Sequence, residues 1–150
     1  VTGAGDATTF NSTEGVLYVE MAALSNDESF RQISLKETPS GGDVLTLDLS
    51  NTSNGVRSYI RVNGVASSLA TTLSDETEFN KIAVKYGSTH EIWVNGSKVA
   101  TATLTTLPMT INELNLDNGS GSGNFYGKVK ALAVFNEALT DAELLCLTTI

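Results

Sequence analysis

Three places in this sequence set an aromatic ring among side chains that bond hydroxyl groups. Trp93 stands between Glu91 and Asn95 at alternate positions. Tyr59 stands between Arg57 and Arg61, with Asn63 next at the same period, and Tyr18 shares its parity with Glu20. Side chains two apart on a strand point the same way, so each group would form an apolar plate edged by donors and acceptors. Such a plate suits a pyranose ring, whose C–H face packs on an aromatic while its hydroxyls bond amides, carboxylates and guanidinium groups. Trp93, Tyr59, Arg57, Arg61 and Asn95 are the candidate carbohydrate-binding residues. The competing reading is that these rings cover a sheet or pack beneath a loop.

Other chemistries find less support. A glycosidase needs two carboxylates placed across one bond. Asp75, Glu76 and Glu78 cluster, but residues 74–78 read as a solvated turn before the strand that starts near Phe79. The sole histidine, His90, falls in a Ser88-Thr89-His90-Glu91 turn, without a Ser or Cys nucleophile motif beside it, and is expected at the surface. No catalytic residue is assigned, and the chain is not read as an enzyme. Asp117 and Asn118, in the stretch Asp117-Asn118-Gly119-Ser120-Gly121-Ser122-Gly123, supply two oxygen ligands for Ca²⁺, with Asp6 or Asp43 approaching from another loop. An ordinary glycine-rich loop is the alternative, because the Asp-x-Asp-x-Asp-Gly spacing is absent. Nor is the stretch a phosphate cradle, since it lacks the P-loop lysine and no helix follows it. One cysteine excludes an intramolecular disulfide and a multi-thiolate metal site. Cys146 is expected to be a small buried hydrophobe.

The elements that position these residues are strands. Val44, Leu45, Leu47 and Leu49 are interleaved with Thr46, Asp48 and Ser50. Val56, Ser58, Ile60 and Val62 oppose Arg57, Tyr59 and Arg61, and Ile92 and Val94 oppose Glu91, Trp93 and Asn95. That alternation gives each strand one buried and one wet face. Turn signals recur between them: Ser40-Gly41-Gly42-Asp43, Asn54-Gly55, Asn63-Gly64 and Asn95-Gly96. Asn-Gly tolerates the positive φ of a two-residue hairpin turn. Ten to twelve short strands at this spacing predict a two-sheet antiparallel jelly roll. One helix is predicted, over 141–147. Thr140-Asp141-Ala142-Glu143 is a capping box, and Leu139 with Leu144 forms its hydrophobic staple.

Composition bounds the partners. The chain has 150 residues, nine basic against seventeen acidic, and a net charge of −8. It is the length of one domain, and such a balance disfavours nucleic acid and anionic membrane surfaces. No apolar run approaches the ~18 residues of a membrane-spanning helix. The opening Val1-Thr2-Gly3 has no initiator Met, which leads us to expect a module of a longer protein.

Two segments carry a family pattern. Asn80-Lys81-Ile82-Ala83-Val84-Lys85-Tyr86-Gly87 followed by Glu91-Ile92-Trp93-Val94-Asn95-Gly96 resembles the central hairpin of laminin-G-like domains, in the concanavalin A-like lectin/glucanase superfamily. Gly127-Lys128-Val129-Lys130-Ala131-Leu132-Ala133-Val134-Phe135, with Asn136-Glu137-Ala138-Leu139-Thr140-Asp141-Ala142-Glu143-Leu144, resembles that family's closing strand and helix. Lys130 and Ala131 stand where relatives often carry acids, which weakens the expectation of a family-type Ca²⁺ site. The opening Phe10 to Glu20 is similar to first strands of such domains in phage tail and fibre proteins. The resemblance implies an all-β concanavalin A-like jelly roll and a non-catalytic, lectin-like module for a polysaccharide or cell-surface glycan. Its place would be extracellular or on a virion surface, with a homo-oligomer inside a larger assembly. The alternative is a decoration or oligomerisation domain that binds no sugar. A polysaccharide hydrolase or lyase ranks last.

Overall fold

Period-two alternation becomes ten strands among the described residues of the computed structural model, which are 4–38 and 42–150. They are β1 (Gly15–Ala23), β2 (Arg31–Lys36), β3 (Val44–Leu49), β4 (Gly55–Val62), β5 (Val65–Thr72), β6 (Asn80–Tyr86), β7 (Thr89–Val94), β8 (Ser97–Thr103), β9 (Glu113–Asn115) and β10 (Gly127–Phe135), followed by helix α1 (Asp141–Thr148). They form two five-stranded antiparallel sheets, in the orders β10-β1-β6-β7-β8 and β5-β4-β3-β2-β9. We call these the β1 sheet and the β3 sheet. The expected jelly-roll sandwich is what the chain builds. Ser40 and Gly41 of the first turn signal lie outside the described residues.

Asn63 and Gly64 (φ 50° and 81°) join β4 to β5, and Asn95 and Gly96 (φ 47° and 80°) join β7 to β8. Both pairs have the two successive positive φ values of a type I′ turn, whose twist matches its flanking strands. Between the sheets lies the main core. Leu17, Val19 and Met21 of β1, with Ile82 and Val84 of β6, meet Leu45, Leu47 and Leu49 of β3 and Ile60 of β4.

Three expectations are corrected by this packing. His90 is fully buried rather than at the surface. Its ring lies between the sheets, with Ser58 Oγ 2.8 Å from Nε2 and Ser67 Oγ 2.9 Å from Nδ1. The Thr89–Glu91 stretch belongs to β7, not to a turn, so alternation aims His90 inward. Cys146 is exposed, because α1 turns Leu144 to the sheet and leaves position 146 outside. Glu76 sits in the polar 74–78 segment yet is only 1% exposed, since that segment folds over the end of β1, with Ala23 N–H donating to Glu76 O at 2.7 Å.

α1 begins as expected. Glu143 N–H donates to Thr140 Oγ1 and Thr140 N–H to Glu143 Oε2. The helix lies on the outer side of the β1 sheet, where Leu139 and Leu144 close over Val16, Tyr18, Ala83 and Trp93.

Candidate functional site

The outer face of the β3 sheet is a grid of polar side chains fixed by strand register. Residues paired across antiparallel strands share a face, so each cross-strand row can be followed from Arg57, Tyr59 and Arg61 of β4. Arg57 pairs with Asp48, and Asp48 with Gln32. Tyr59 pairs with Thr46, Thr46 with Ser34, and Ser34 with Asn115. Arg61 pairs with Val44, and Val44 with Lys36. The intervening residues Val56, Ser58, Ile60 and Val62 are all buried, as the alternation requires.

A hollow of about 270 Å³ opens on this face, lined by Gln32, Val44, Thr46, Arg57, Tyr59, Arg61 and Asn118. Three of the five sugar-binding candidates therefore come together: Tyr59 with a guanidinium on each side. Asn118, considered as a metal ligand, is their neighbour. Arg57 is held from beneath by Asp48, whose Oδ2 accepts from Arg57 Nε at 3.2 Å, from Arg57 Nη2 at 3.0 Å and from Gln32 Nε2 at 3.4 Å. Phe30 lies against the same guanidinium, 5.1 Å from ring centroid to Cζ. Carboxylate and ring thus fix the direction of Arg57 while its side chain stays about one-third exposed. Burial pushes the Asp48 carboxyl above its usual value, and the Arg57 charge only partly offsets this. Arg61 Nε donates to Gly42 O at 3.0 Å.

Gln32 and Thr46, which line the hollow, and Asp48 beneath Arg57 belong to the candidate site but were not singled out by the sequence analysis. Thr46 and Asp48 alternate with the core leucines of β3 and so could be placed on an outer face. What the sequence lacks is the register that sets them opposite Tyr59 and Arg57.

Trp93 and Asn95 lie elsewhere, on the β1 sheet. The expectation of a Trp93 plate is corrected by α1, which covers the indole and leaves it 5% exposed. Trp93 does share an outer face with Glu91, and its Nε1–H donates to Glu91 Oε2 at 3.0 Å. Lys98 closes the cover, with Nζ 3.4 Å from Glu91 and 2.9 Å from Asp141 of α1, above the indole at 5.2 Å from the ring centroid. Burial raises the Glu91 carboxyl, but the Trp93 and Thr89 hydrogen bonds and the Lys85 and Lys98 ammonium groups more than reverse it, leaving it below its usual value. Asn95 is a hairpin residue: its Oδ1 accepts from Lys81 N–H at 2.9 Å and its Nδ2 donates to Asn80 at 2.8 Å. Tyr18 and Glu20 are buried on this same sheet.

The Ca²⁺ candidates do not assemble. Asp117 Oδ1 accepts from Gly119 N–H, and Asn118 Oδ1 accepts from the N–H groups of Ser120 at 2.8 Å and Ser122 at 3.2 Å. Asp6 Oδ1 accepts from Thr8 and Thr9 of its own turn. Asp43 ties loops together, taking Asn63 N–H at 2.9 Å and Thr110 N–H at 2.7 Å. Each of these oxygens accepts backbone N–H groups. Among the described residues, no group of three His, Cys, Asp or Glu side chains could hold a metal ion.

With this geometry established, the comparisons with known proteins agree on the fold. The sialidase module called CBM40 of Ruminococcus gnavus, solved bound to α2,3-sialyllactose, superposes with a TM-score of 0.77 at 18% identity, over 99% of this chain and 94% of that one. The leech intramolecular trans-sialidase, complexed with 2,7-anhydro-Neu5Ac, gives 0.76 at 18% identity over 100% of this chain, which spans only 26% of that enzyme. Domains LG4-5 of the mouse laminin α1 chain give 0.67 at 10% identity, over 94% and 40% of the two chains. No curated protein matches the sequence. A family model does, over residues 9–145. The chain belongs to the concanavalin A-like lectin/glucanases superfamily, as the hairpin and closing-strand patterns implied.

Proposed function

We propose that the outer face of the β3 sheet binds a glycan bearing a carboxylated sugar, without catalysis. The observation that carries this reading is the hollow in which Tyr59 lies between Arg57 and Arg61. A ring offers the stacking surface, and guanidinium N–H groups beyond those bonded to Asp48 and Gly42 offer charged donors for a carboxylate. Arg61, together with Arg57 and its Asp48 partner, brings cationic groups to one face of a chain of net charge −8, and local field outweighs the mean at contact distance. The likeness to a module solved with sialyllactose supports the same ligand class. The module would work outside the cell or on a virion surface, as on a phage tail or fibre, where repetition multiplies weak sites into firm attachment.

Retention on immobilised α2,3-sialyllactose tests the proposal. Tyr59→Ala and Arg61→Gln each weaken binding at least about tenfold, or ~1.4 kcal/mol, while circular dichroism stays that of the parent. Retention in EDTA equals retention without it. Undiminished binding by both folded variants would remove the site.

A further inference from the structure

We propose that the free edge of β5 pairs with β5 of a second copy of this chain, joining two β3 sheets into one. β5 ends its sheet, and among the described residues no strand pairs with its far side. An edge strand carries a row of unpaired main-chain N–H and C=O groups, and proteins ordinarily guard such edges with charge, bulges, proline or brevity. The other three edges are guarded here. β9 has three residues, and Ala4 covers its far side, its N–H donating to Leu114 O at 2.9 Å. β10 carries Lys128 and Lys130 and a register shift against β1. β8 carries Lys98 and a register shift against β7. β5 has eight residues in unbroken register with β4, without a charge or a proline.

Which main-chain groups are free follows from the hairpin. Val62 and Val65 flank the two-residue Asn63-Gly64 turn, so they exchange hydrogen bonds, and bonded pairs recur at every second residue from there. Leu73 N–H, donating to Asn54 O at 2.8 Å, continues that phase. The N–H and C=O of Ala66, Ser68 and Ala70 therefore point away from β4. Their side chains are exposed, and their register partners are Arg61, Tyr59 and Arg57, so they share the face of the hollow.

A second copy is the occupant because β5 matches itself. Laid antiparallel about Ser68, two copies set Ser68 against Ser68 and Ala66 against Ala70, a register that keeps side chains of one face together. About six N–H···O bonds close such a seam, and the side chains that meet there are small and neutral. Each copy has a net charge of −8, so two copies repel except where charge is absent, and no charged residue lies between Arg61 and Asp75. The pairing also sets both Tyr59 rings in one cross-strand row of a continuous sheet, ~14 Å apart at the spacing of neighbouring strands. It stands or falls independently of the glycan reading.

Sedimentation equilibrium of the parent chain tests the pairing. Its weight-average mass is expected to rise from that of one chain toward two between about 5 and 500 μM, because a seam of small side chains buries little area. Ser68→Pro removes one outward N–H at a position that an edge strand tolerates. This variant should stay monomeric over the same range and keep the parent's urea midpoint. Ser68→Lys and Ser68→Glu should each be monomeric too, since like charges meet at the seam. Mixed in equal amounts they should dimerise again, a rescue that misfolded chains could not give. A parent that stays monomeric at the top of the range would overturn the second copy as occupant. A dimer that survives in Ser68→Pro and in both charged variants would place the interface elsewhere and overturn the pairing as well.

Discussion

On the outer face of the β3 sheet, Tyr59 stands between Arg57 and Arg61 and borders an open hollow. On the outer face of the β1 sheet, Trp93 stands beside Glu91 and under Lys98, and α1 lies across it. Both rings sit at alternate strand positions opposite core residues, and both are edged by charge. What separates them is one short helix and its ammonium clasp. An aromatic flanked by polar groups on a strand is therefore only a potential plate. Whether it receives a ligand or a piece of its own chain depends on what else has an apolar side to bury. α1 carries Leu144 and is preceded by Leu139, and the indole is the largest side chain in the cluster that receives them.

The sharpest way to break this comparison is to delete both rings in turn. Trp93→Ala would leave a cavity beneath α1 and cost about 3–5 kcal/mol of stability, the range for aromatic truncation in a packed interior. Urea unfolding measures it, and the folded fraction should still be retained on sialyllactose. Tyr59→Ala should do the reverse, lowering retention with little change in the urea midpoint. If Trp93→Ala proved stable and Tyr59→Ala unfolded the chain, the two faces would have to exchange roles.

Between the faces, His90 supplies a lever on the whole sandwich. Burial lowers its pKa to about 4, from 6.5. The folded state therefore resists the proton that the unfolded chain accepts below pH 6.5. A depressed histidine gives stability that is present above 6.5 and falls away as the pH drops toward 4. The full loss is roughly 3 kcal/mol at 1.36 kcal/mol per unit. His90→Gln keeps a partner for at least one of Ser58 and Ser67 but has no proton to bind. The parent should lose more stability than this variant between pH 7 and pH 4.5. Buried Glu76 and Asp48 act in the opposite sense, because burial raises both carboxyl groups, and the variant comparison removes their share.

Period-two alternation was enough to place Tyr59 and its arginines on an outer face and Ile60 and Val56 inside. The capping box at Thr140 and the two Asn-Gly hairpins were equally plain, since each is a local pattern whose partners lie within a few residues. The missed features all depend on distant chain. Asp48 beneath Arg57 requires the β3–β4 register, and Phe30 over Arg57 requires the path of the loop before β2. The burial of Glu76, both of whose carboxylate oxygens lack a hydrogen-bond partner, comes from a polar segment folding over the end of β1, which no local spacing reports. Trp93 is the most instructive case. Its parity was read correctly, but parity names a side of a sheet and says nothing about a helix arriving from fifty residues later.

The smallest effect is expected where that helix begins. Thr140 Oγ1 accepts from Glu143 N–H, and Glu143 Oε2 accepts in turn from Thr140 N–H at 2.8 Å. Removing a Ser or Thr cap costs about 1 kcal/mol. Thr140→Ala should lower stability by that amount and loosen the first turn, which also carries Asp141, the helix's contact with Lys98. Trp93 is the only tryptophan, so its fluorescence reports the cover alone: fraying admits water to the indole, and its emission should move to longer wavelength before the rest of the chain unfolds. Sialyllactose retention, set on the opposite sheet, should not change. An emission shift accompanied by lost retention would mean that the two faces are coupled through the sandwich, and the division of labour between them would need another physical basis.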